Sequence, residues 1–452
     1  MAAVSVLMIL SSALFTQLSA HGRPEMIYYV AAATIAIASF VLIPRPFANL
    51  SLSLVYLISP CPMVLDQTHS AMVTTLLIAN CLAGCLWARS FRDHFNWRSA
   101  RIPILLSAVG VLGACYGLVH GNRVSFAIGD LYQVIEFSVL FFLGWMLVGT
   151  EGQFRQLANV ILCAIVLTCV LQASDAVIGA EYLPRMGIKN WHRTINMNAP
   201  IAFVGLTALF ASPGRKKKWI LSGIGIIAIN LVWSFTRGLW MATVISVIFL
   251  LLLQKGESRR AVLKFVFALS MIVIPLLYSF GLGSAIEDRV SYTAKQFGNP
   301  TEDDQNLSER RFLEYVLILP KIAERPLLGH GLGATFEISG SAIIEGPKDV
   351  TVDFHYIHDL YLLIAFRLGV VMLTVALVAL WAYFRTAIRN LRTSNLSADG
   401  SLLLQGFIAA IFGEVVLSVT SPTILNHPTA GLLGCMMAIT LKTLDPDFQP
   451  TT

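Results

Sequence analysis

The sequence predicts an all-α fold: a polytopic transmembrane helical bundle of about 12 to 14 helices, with one large loop that contains short helices. Apolar residues make up 56% of the 452 residues and charged residues only 13%, whereas about a quarter of a soluble protein is charged. The apolar residues form runs of about 17 to 25, the length of a helix that crosses a hydrocarbon core. The alternating segments of a membrane β-barrel are absent from the sequence.

Fourteen apolar runs are candidates for membrane crossings. We expect helices over the ranges 3–20, 26–43, 47–65, 70–88, 102–119, 126–148, 155–178, 196–212, 218–235, 238–253, 262–283, 357–384, 400–420 and 428–442. Three of these runs, at 196–212, 238–253 and 428–442, are short for a membrane helix. All seven cysteines fall within apolar runs, so the sequence predicts no disulfide framework.

The basic residues indicate the orientation of these helices. They are concentrated in four short loops, at 89–101, 215–218, 255–264 and 385–392, and all four fall on the same side of the membrane under the expected spans. Because short cytoplasmic loops carry the excess of Lys and Arg, we expect this side, and both chain termini, to be cytoplasmic. The net charge of +6 therefore follows from the topology, and we expect no nucleic-acid partner.

A polar stretch divides the apolar runs into two groups. We expect N-terminal transmembrane helices over 1–283, a large loop over 284–357 and C-terminal transmembrane helices over 358–452. The loop contains seven Lys or Arg and twelve Asp or Glu, a net charge of −5, and such a segment is translocated readily. We therefore expect the loop to be periplasmic and the protein to lie in a bacterial inner membrane.

The loop is expected to contain a helix followed by a tight turn. Ser308 precedes a helix that begins at Glu309 and ends near Ala323, because a serine oxygen accepts a hydrogen bond from an early backbone N–H. We expect Pro320 to kink or shorten this helix, and Arg325 and Pro326 to end it. The glycines at 329, 331 and 333 predict an irregular turn.

Arg237 lies between two closely spaced apolar runs, in the stretch Ser234-Phe-Thr-Arg-Gly238. An arginine inside a membrane costs several kcal/mol unless it reaches water or an anion. Its planar guanidinium matches the oxygens of phosphate groups, so we interpret Arg237 as a clamp for a phosphate or diphosphate. The alternative is an interfacial side chain that extends to the headgroups.

Arg310 and Arg311 lie in the predicted loop helix and are further candidates for binding phosphate. Tyr315 follows Arg311 by four residues, so the two side chains share a helix face. The alternative is a solvated arginine pair that forms local ion pairs with Glu309 and Glu314.

His358 stands at the expected boundary between the loop and the next membrane helix. Histidine suits general-base chemistry near neutral pH, and Asp359 beside it is a candidate for a supporting role. The alternative is an ordinary helix start, in which Asp359 interacts favourably with the helix dipole. His355, three residues earlier, is the competing candidate for the base.

The remaining polar residues indicate no metal or other cofactor. No grouping of histidines and carboxylates near these candidates has the spacing of metal ligands, so we expect a site without either. Arg367 and Glu414 lie within apolar runs. Because charges inside a membrane usually find partners, these two are candidates for a pair across helices.

Three motifs stand out in the region from 219 to 384. They are Ser-Phe-Thr-Arg237-Gly, then Arg311-Phe-Leu-Glu-Tyr315 followed by Pro326-Leu-Leu-Gly-His-Gly, and last His358-Asp359 with nine residues before Gly369. Together they resemble the motifs of the O-antigen ligase family, membrane glycosyltransferases that also include O-antigen and exopolysaccharide polymerases. In that family Asn, Ser or Gln commonly stands at the position of Asp359.

The resemblance implies a membrane enzyme that uses a glycan linked to undecaprenyl diphosphate as its donor, without metal, at the periplasmic face. Arg237 and Arg311, with Arg310 beside it, would bind the donor diphosphate, and His358 would activate the acceptor hydroxyl. The acceptor would be a lipid A-core sugar for a ligase of lipopolysaccharide synthesis, or a growing lipid-linked glycan for a polymerase.

A polysaccharide or lipid transporter, or a flippase, is the alternative from a different class. Many helices and the charges of Arg367 and Glu414 would serve it equally well. Transporters often contain repeated halves with broken helices, and the sequence shows no such pairing. The long loop over 284–357 also fits an enzyme better.

Overall fold

The computed structural model describes residues 41–42, 45–58, 79, 82–83, 86, 97–180, 196–212, 217–234, 236–279, 314–339, 351–392, 394–420, 427–445 and 448. The expected span at 3–20, and nearly all of the spans at 26–43 and 70–88, lie outside the described residues. The first part of the expected loop, up to residue 313, lies outside them as well.

Twelve helices and one pair of strands are formed by the residues that the structure describes. The helices are α1 (Pro46–Ile58), α2 (Trp97–Val119), α3 (Val124–Leu147), α4 (Glu151–Ala180), α5 (Ala199–Phe210), α6 (Lys217–Trp233), α7 (Arg237–Leu253), α8 (Gly256–Ser279), α9 (314–324), α10 (Leu360–Leu391), α11 (Ala398–Leu417) and α12 (His427–Thr443). Strands β1 (Phe336–Ser339) and β2 (Thr351–Phe354) pair antiparallel, with Phe336 opposite Phe354. The predicted all-α bundle is thus confirmed, with a short hairpin added between α9 and α10.

Five of the described helices are long and apolar enough to cross a membrane, namely Arg101–Val119, Val124–Leu147, Glu151–Gln172, Leu360–Leu391 and Ala398–Leu417. The chain is therefore a multi-pass membrane protein. Four further apolar helices, Pro46–Val55, Ala199–Phe210, Gly238–Leu253 and Thr429–Thr443, are shorter than the roughly 20 residues that a perpendicular crossing needs. The three short apolar runs of the sequence, at 196–212, 238–253 and 428–442, each contain a helix. The total number of membrane crossings stays a prediction.

Helix α11 is the most buried of the five long apolar helices, and it packs closely against α5 and α7. Glycines allow this approach, as small residues do in membrane bundles. A Cβ added at Gly413 would lie 3.0 Å from the carbonyl oxygen of Ala242 in α7. A Cβ added at Gly406 would lie 3.1 Å from Cα of Gly205 in α5. Helix α11 therefore positions α5 and α7.

A second, smaller apolar cluster joins the loop to α10. Ile318 and Ile322 of α9 share a face, and they are buried together with Phe336 of β1 and with Leu362 and Phe366 of α10. The loop helix is confirmed over 314–324, and it runs through Pro320 without ending there. Helix α9 therefore lies against the first turns of α10.

Helix α10 is broken at Gly369, whose φ of 83° and ψ of 167° are not helical. The break frees backbone groups that need partners inside a membrane, and the glycine turn at 326–333 supplies them. The N–H groups of His330 and Gly331 donate to the carbonyl oxygens of Phe366 (2.9 Å) and Arg367 (2.8 Å). Val370 N–H donates to Pro326 O at 2.8 Å. The turn thus satisfies the backbone hydrogen bonds that the break in α10 leaves open.

The opposite side of the same turn is held by the hairpin of α2 and α3. Leu332 N–H donates to Gly113 O at 3.0 Å, and the Asn122 side-chain amide donates to the carbonyl oxygens of His330 and Leu332, each at 3.0 Å. The predicted irregular turn is confirmed, since Gly329, Gly331 and Gly333 all have positive φ. It is wedged between two helices that are far apart in the chain.

We expect the variant Gly331→Ala to lose far more stability than Gly121→Ala. Both glycines have a φ of 85°, so both variants carry the same backbone strain of about 1–2 kcal/mol. A Cβ at Gly331 would also lie 2.3 Å from Cα of Gly117, whereas none of the described residues lies within 4 Å of a Cβ at Gly121. That clash should add about 1–3 kcal/mol or more.

The measurement is the temperature at which detergent-solubilised protein aggregates, followed by size-exclusion chromatography. Equal losses in the two variants would contradict the close packing of the turn against α2.

Candidate active site

Four chain segments meet at one end of the bundle, which we call the loop end. The start of α7 lies against the end of α11, because a Cβ at Gly238 would be 2.9 Å from Leu417 and 3.0 Å from Thr420 Oγ1. The start of α10 is bonded to the same place, since Leu360 N–H donates to Ser418 O at 2.9 Å. The turn at 326–333 completes this end through its contacts with α10.

His358 lies at the loop end, directly before α10, and Glu314 of α9 holds it at two points. The carboxylate of Glu314 bonds to the imidazole Nδ1, and its second oxygen accepts a bond from the backbone N–H of residue 358 at 3.0 Å. The Glu314 side chain is 11% exposed and the His358 side chain 45%. A nearly buried carboxylate thus orients a half-exposed imidazole.

The second ring nitrogen of His358 is the one available for chemistry. Among the described residues, no group forms a hydrogen bond with Nε2; the ring of Tyr356 lies edge-on to the imidazole at 5.0 Å. A carboxylate at Nδ1 favours the tautomer in which Nδ1 carries the proton and Nε2 has a free lone pair. This is the arrangement of a general base that is oriented by a carboxylate.

Asp359 caps the N-terminus of α10. Its Oδ1 accepts bonds from the N–H groups of Tyr361 (2.8 Å) and Leu362 (3.0 Å), and its Oδ2 accepts one from the Tyr315 hydroxyl. An aspartate at this position satisfies early N–H groups of a helix and complements its dipole. Asp359 and Tyr315 therefore fix the first turn of α10 next to His358. This geometry fits the alternative interpretation, in which Asp359 caps an ordinary helix start.

His355 belongs to a separate, more buried network. Its ring stacks on Phe126 at 4.2 Å, its Nε2 lies 3.2 Å from Asp130 Oδ1, and its carbonyl oxygen accepts a bond from Arg367 Nη2 at 2.7 Å. Its side chain is 25% exposed. With these contacts His355 joins β2, α3 and α10, and its ring does not contact Glu314 or His358 among the described residues.

The candidate pair of Arg367 and Glu414 is wrong, because Arg367 pairs with Asp130. Arg367 Nη1 bonds to Asp130 Oδ1 of α3 at 2.7 Å, with both side chains almost fully buried. Asp130 Oδ2 accepts a further bond from Gly333 N–H of the turn at 2.7 Å. The turn brings α3 to the break in α10, and this contact decides the partner of Arg367. The sequence signal that was missed is the lone aspartate in the apolar run of α3.

Arg237 is the first residue of α7, so its backbone lies at the loop end with that of His358. The two helix starts flank the same end of α11, on one side of the bundle. Arg310 and Arg311 lie outside the described residues; the nearest described residue along the chain is Glu314, the partner of His358. In the part of the chain that the structure describes, no three His, Cys, Asp or Glu residues are grouped as metal ligands.

The fold and this end of the bundle define a multi-pass α-helical membrane protein with a carboxylate-oriented histidine at the mouth of its helices. Residues 222–377 match the model of the family described as O-antigen ligase, so the resemblance drawn from the motifs is confirmed. The matched stretch contains both Arg237 and His358. No curated protein matches the chain.

Proposed function

We propose that the protein is a glycosyltransferase that moves a glycan from a polyprenyl diphosphate carrier onto an acceptor hydroxyl at the periplasmic face of the inner membrane. The observation that supports this most is the pair of Glu314 and His358 at the loop end. It supplies a base where a membrane helix begins, within the stretch that matches the O-antigen ligase family. A lipid-linked donor presents its diphosphate at that depth.

The donor step needs positive charge at the leaving group. When the bond between the sugar C1 and the phosphate oxygen breaks, negative charge develops on the diphosphate and has to be stabilised. Guanidinium groups match diphosphate oxygens in geometry and charge. The proposal gives this role to Arg237, Arg311 and Arg310.

The acceptor step needs a base. The acceptor hydroxyl transfers its proton to Nε2 of His358 while its oxygen forms the new bond to C1, and polyprenyl diphosphate leaves from the opposite face. Glu314 stabilises the imidazolium that results, as the carboxylate of a catalytic triad does. In-line attack inverts the configuration at C1.

The acceptor distinguishes a ligase from a polymerase within this proposal. A ligase would use a lipid A-core sugar, and a polymerase would use a growing lipid-linked glycan. A strain that lacks the ligase should accumulate complete polymer on the lipid carrier. A strain that lacks the polymerase should accumulate single repeat units on the carrier.

The direct test is transfer by the purified protein in EDTA, with a lipid-diphosphate glycan as donor and each candidate acceptor in turn. The proposal expects a glycosylated acceptor and free polyprenyl diphosphate in equal amounts. Uptake of a labelled solute or lipid into liposomes, with no glycan formed from any donor, would favour the transporter or flippase instead.

We expect Glu314→Gln to lower kcat by about 100-fold or more with little change in KM, because the amide no longer fixes the tautomer or stabilises the imidazolium. Glu314→Asp keeps the charge and should recover part of the rate. The measurement is steady-state transfer by both variants. Equal activity in Glu314→Gln and the parent would show that the contact with His358 is only structural.

A further inference from the structure

The outward face of α9 is apolar, although the helix lies in the predicted polar loop. Residues that are three, four and seven apart share a helix face, and this face consists of Val316, Leu319, Pro320 and Ala323, all exposed. The opposite face, with Ile318 and Ile322, is already buried against α10. A helix at a water boundary carries polar residues opposite its buried face, and α9 does not.

The turn that follows α9 extends this apolar surface. Leu327 and Leu328 are 66% and 64% exposed, which is unusual for two adjacent leucines beside a packed turn. Exposed apolar patches of this kind indicate a contact surface. The exposed charged residues of the helix, Lys321 and Glu324, lie outside this apolar face and are paired with each other at 2.8 Å.

The surface is continuous with the exposed side of α10. A Cβ at Gly369 would lie 2.1 Å from Leu327 O and 2.8 Å from Leu328 N, so the two leucines adjoin the helix at its break. The next residues of α10, Val370 and Val371, are exposed, and α10 is one of the five helices that can cross a membrane. The medium or molecule that contacts Val370 and Val371 must therefore also contact Leu327 and Leu328.

The depth of the break in α10 indicates an interfacial position. Helix α10 has 32 residues, more than the roughly 20 that a hydrocarbon core requires. About 20 helical residues, at 1.5 Å each, span the hydrocarbon core. If the basic residues that begin at Arg385 mark one edge of the core, the other edge lies near Ala365. Gly369, and with it the two leucines, then lies just inside the edge of the core.

We propose that α9 and the turn at Leu327 and Leu328 lie in the interfacial layer of the membrane at the loop end, with their apolar face against the acyl chains of phospholipids. Lys321 and Glu324 then reach the headgroup layer, as polar residues of interfacial helices do. Where the proposed function holds, this contact also sets the depth of His358, because Glu314 on the same helix holds its ring.

The test replaces single residues by the photoreactive p-benzoylphenylalanine, one position per variant, at Leu319, Leu327, Lys321 and Val375. Val375 is an exposed residue of α10 and serves as the positive control. Each variant is reconstituted into nanodiscs of phosphatidylethanolamine and phosphatidylglycerol and irradiated, and the intact protein is analysed by mass spectrometry. Activity is not measured, so the result is independent of the proposed reaction.

Phospholipid adducts at positions 319, 327 and 375, with little or none at 321, are the expected result. Adducts at 375 without any at 319 and 327 would overturn the proposal. Crosslinks from 319 and 327 to another segment of the chain, or to a second copy, would identify a protein partner for this face and overturn it as well. Equal labelling at 319 and 321 would show that the contact does not belong to the apolar face.

Discussion

The variant His358→Ala should lose glycan transfer almost completely while it inserts into the membrane normally. A positioned general base contributes about 100- to 10,000-fold to a rate, and in the proposed reaction no other described group takes the proton of the acceptor. The imidazole is half exposed, and the backbone N–H of residue 358 can keep its bond to Glu314. The fold should therefore tolerate the change. The measurement is the rate of transfer by purified protein of normal size-exclusion profile.

His355→Ala is the matched control for this experiment. It removes an imidazole three residues away that contacts Asp130, Arg367 and Phe126. We therefore expect it to lower the stability of the fold, and to change the transfer rate of the folded protein much less than His358→Ala does. Normal transfer by His358→Ala, together with loss of transfer by a correctly folded His355→Ala, would show that the base is His355 and not His358.

The second large effect is expected at Arg237. Replacement by glutamate puts a negative charge where the proposal has the donor diphosphate, and hydrogen bonds to charged groups contribute about 1.5–3 kcal/mol each. We therefore expect Arg237→Glu to weaken donor binding by more than about tenfold, since 1.4 kcal/mol corresponds to a factor of ten. Arg237→Lys keeps the charge but loses the planar fork, so its loss should be smaller.

Donor binding can be measured directly with a lipid diphosphate in detergent micelles, without turnover. A dissociation constant for Arg237→Glu equal to that of the parent would remove Arg237 from the diphosphate site. Loss of binding in Arg237→Lys as severe as in Arg237→Glu would instead indicate that the shape of the side chain, and not its charge, is required.

The helical architecture could be predicted from the sequence because it depends on local patterns. Apolar runs of the right length become helices, and even the short run at 238–253 is helical over Arg237–Leu253. The glycines at 329, 331 and 333 predicted an irregular turn for a local reason, their tolerance of positive φ. No local sequence pattern predicts that the turn inserts between α10 and the hairpin of α2 and α3.

The partners of the charged groups could not be predicted in the same way. Glu314 is 44 residues from His358, and its nearest charged neighbours in the sequence are arginines, so local ion pairs were the simpler expectation. Asp130 and Arg367 are 237 residues apart. These pairs depend on the packing of α9 and of the turn against α10, which is a tertiary property of the folded chain.

The turn at 326–333 also has a consequence for how the protein is made. The amide of Asn122 emerges from the ribosome 208 and 210 residues before the carbonyl groups to which it donates. Until the turn at 326–333 has been synthesised, the Asn122 amide has to bond to lipid headgroups, water or a membrane chaperone instead. His358, the base of the proposed reaction, therefore takes its final position late in biogenesis, when the last third of the chain joins helices that are already in the bilayer.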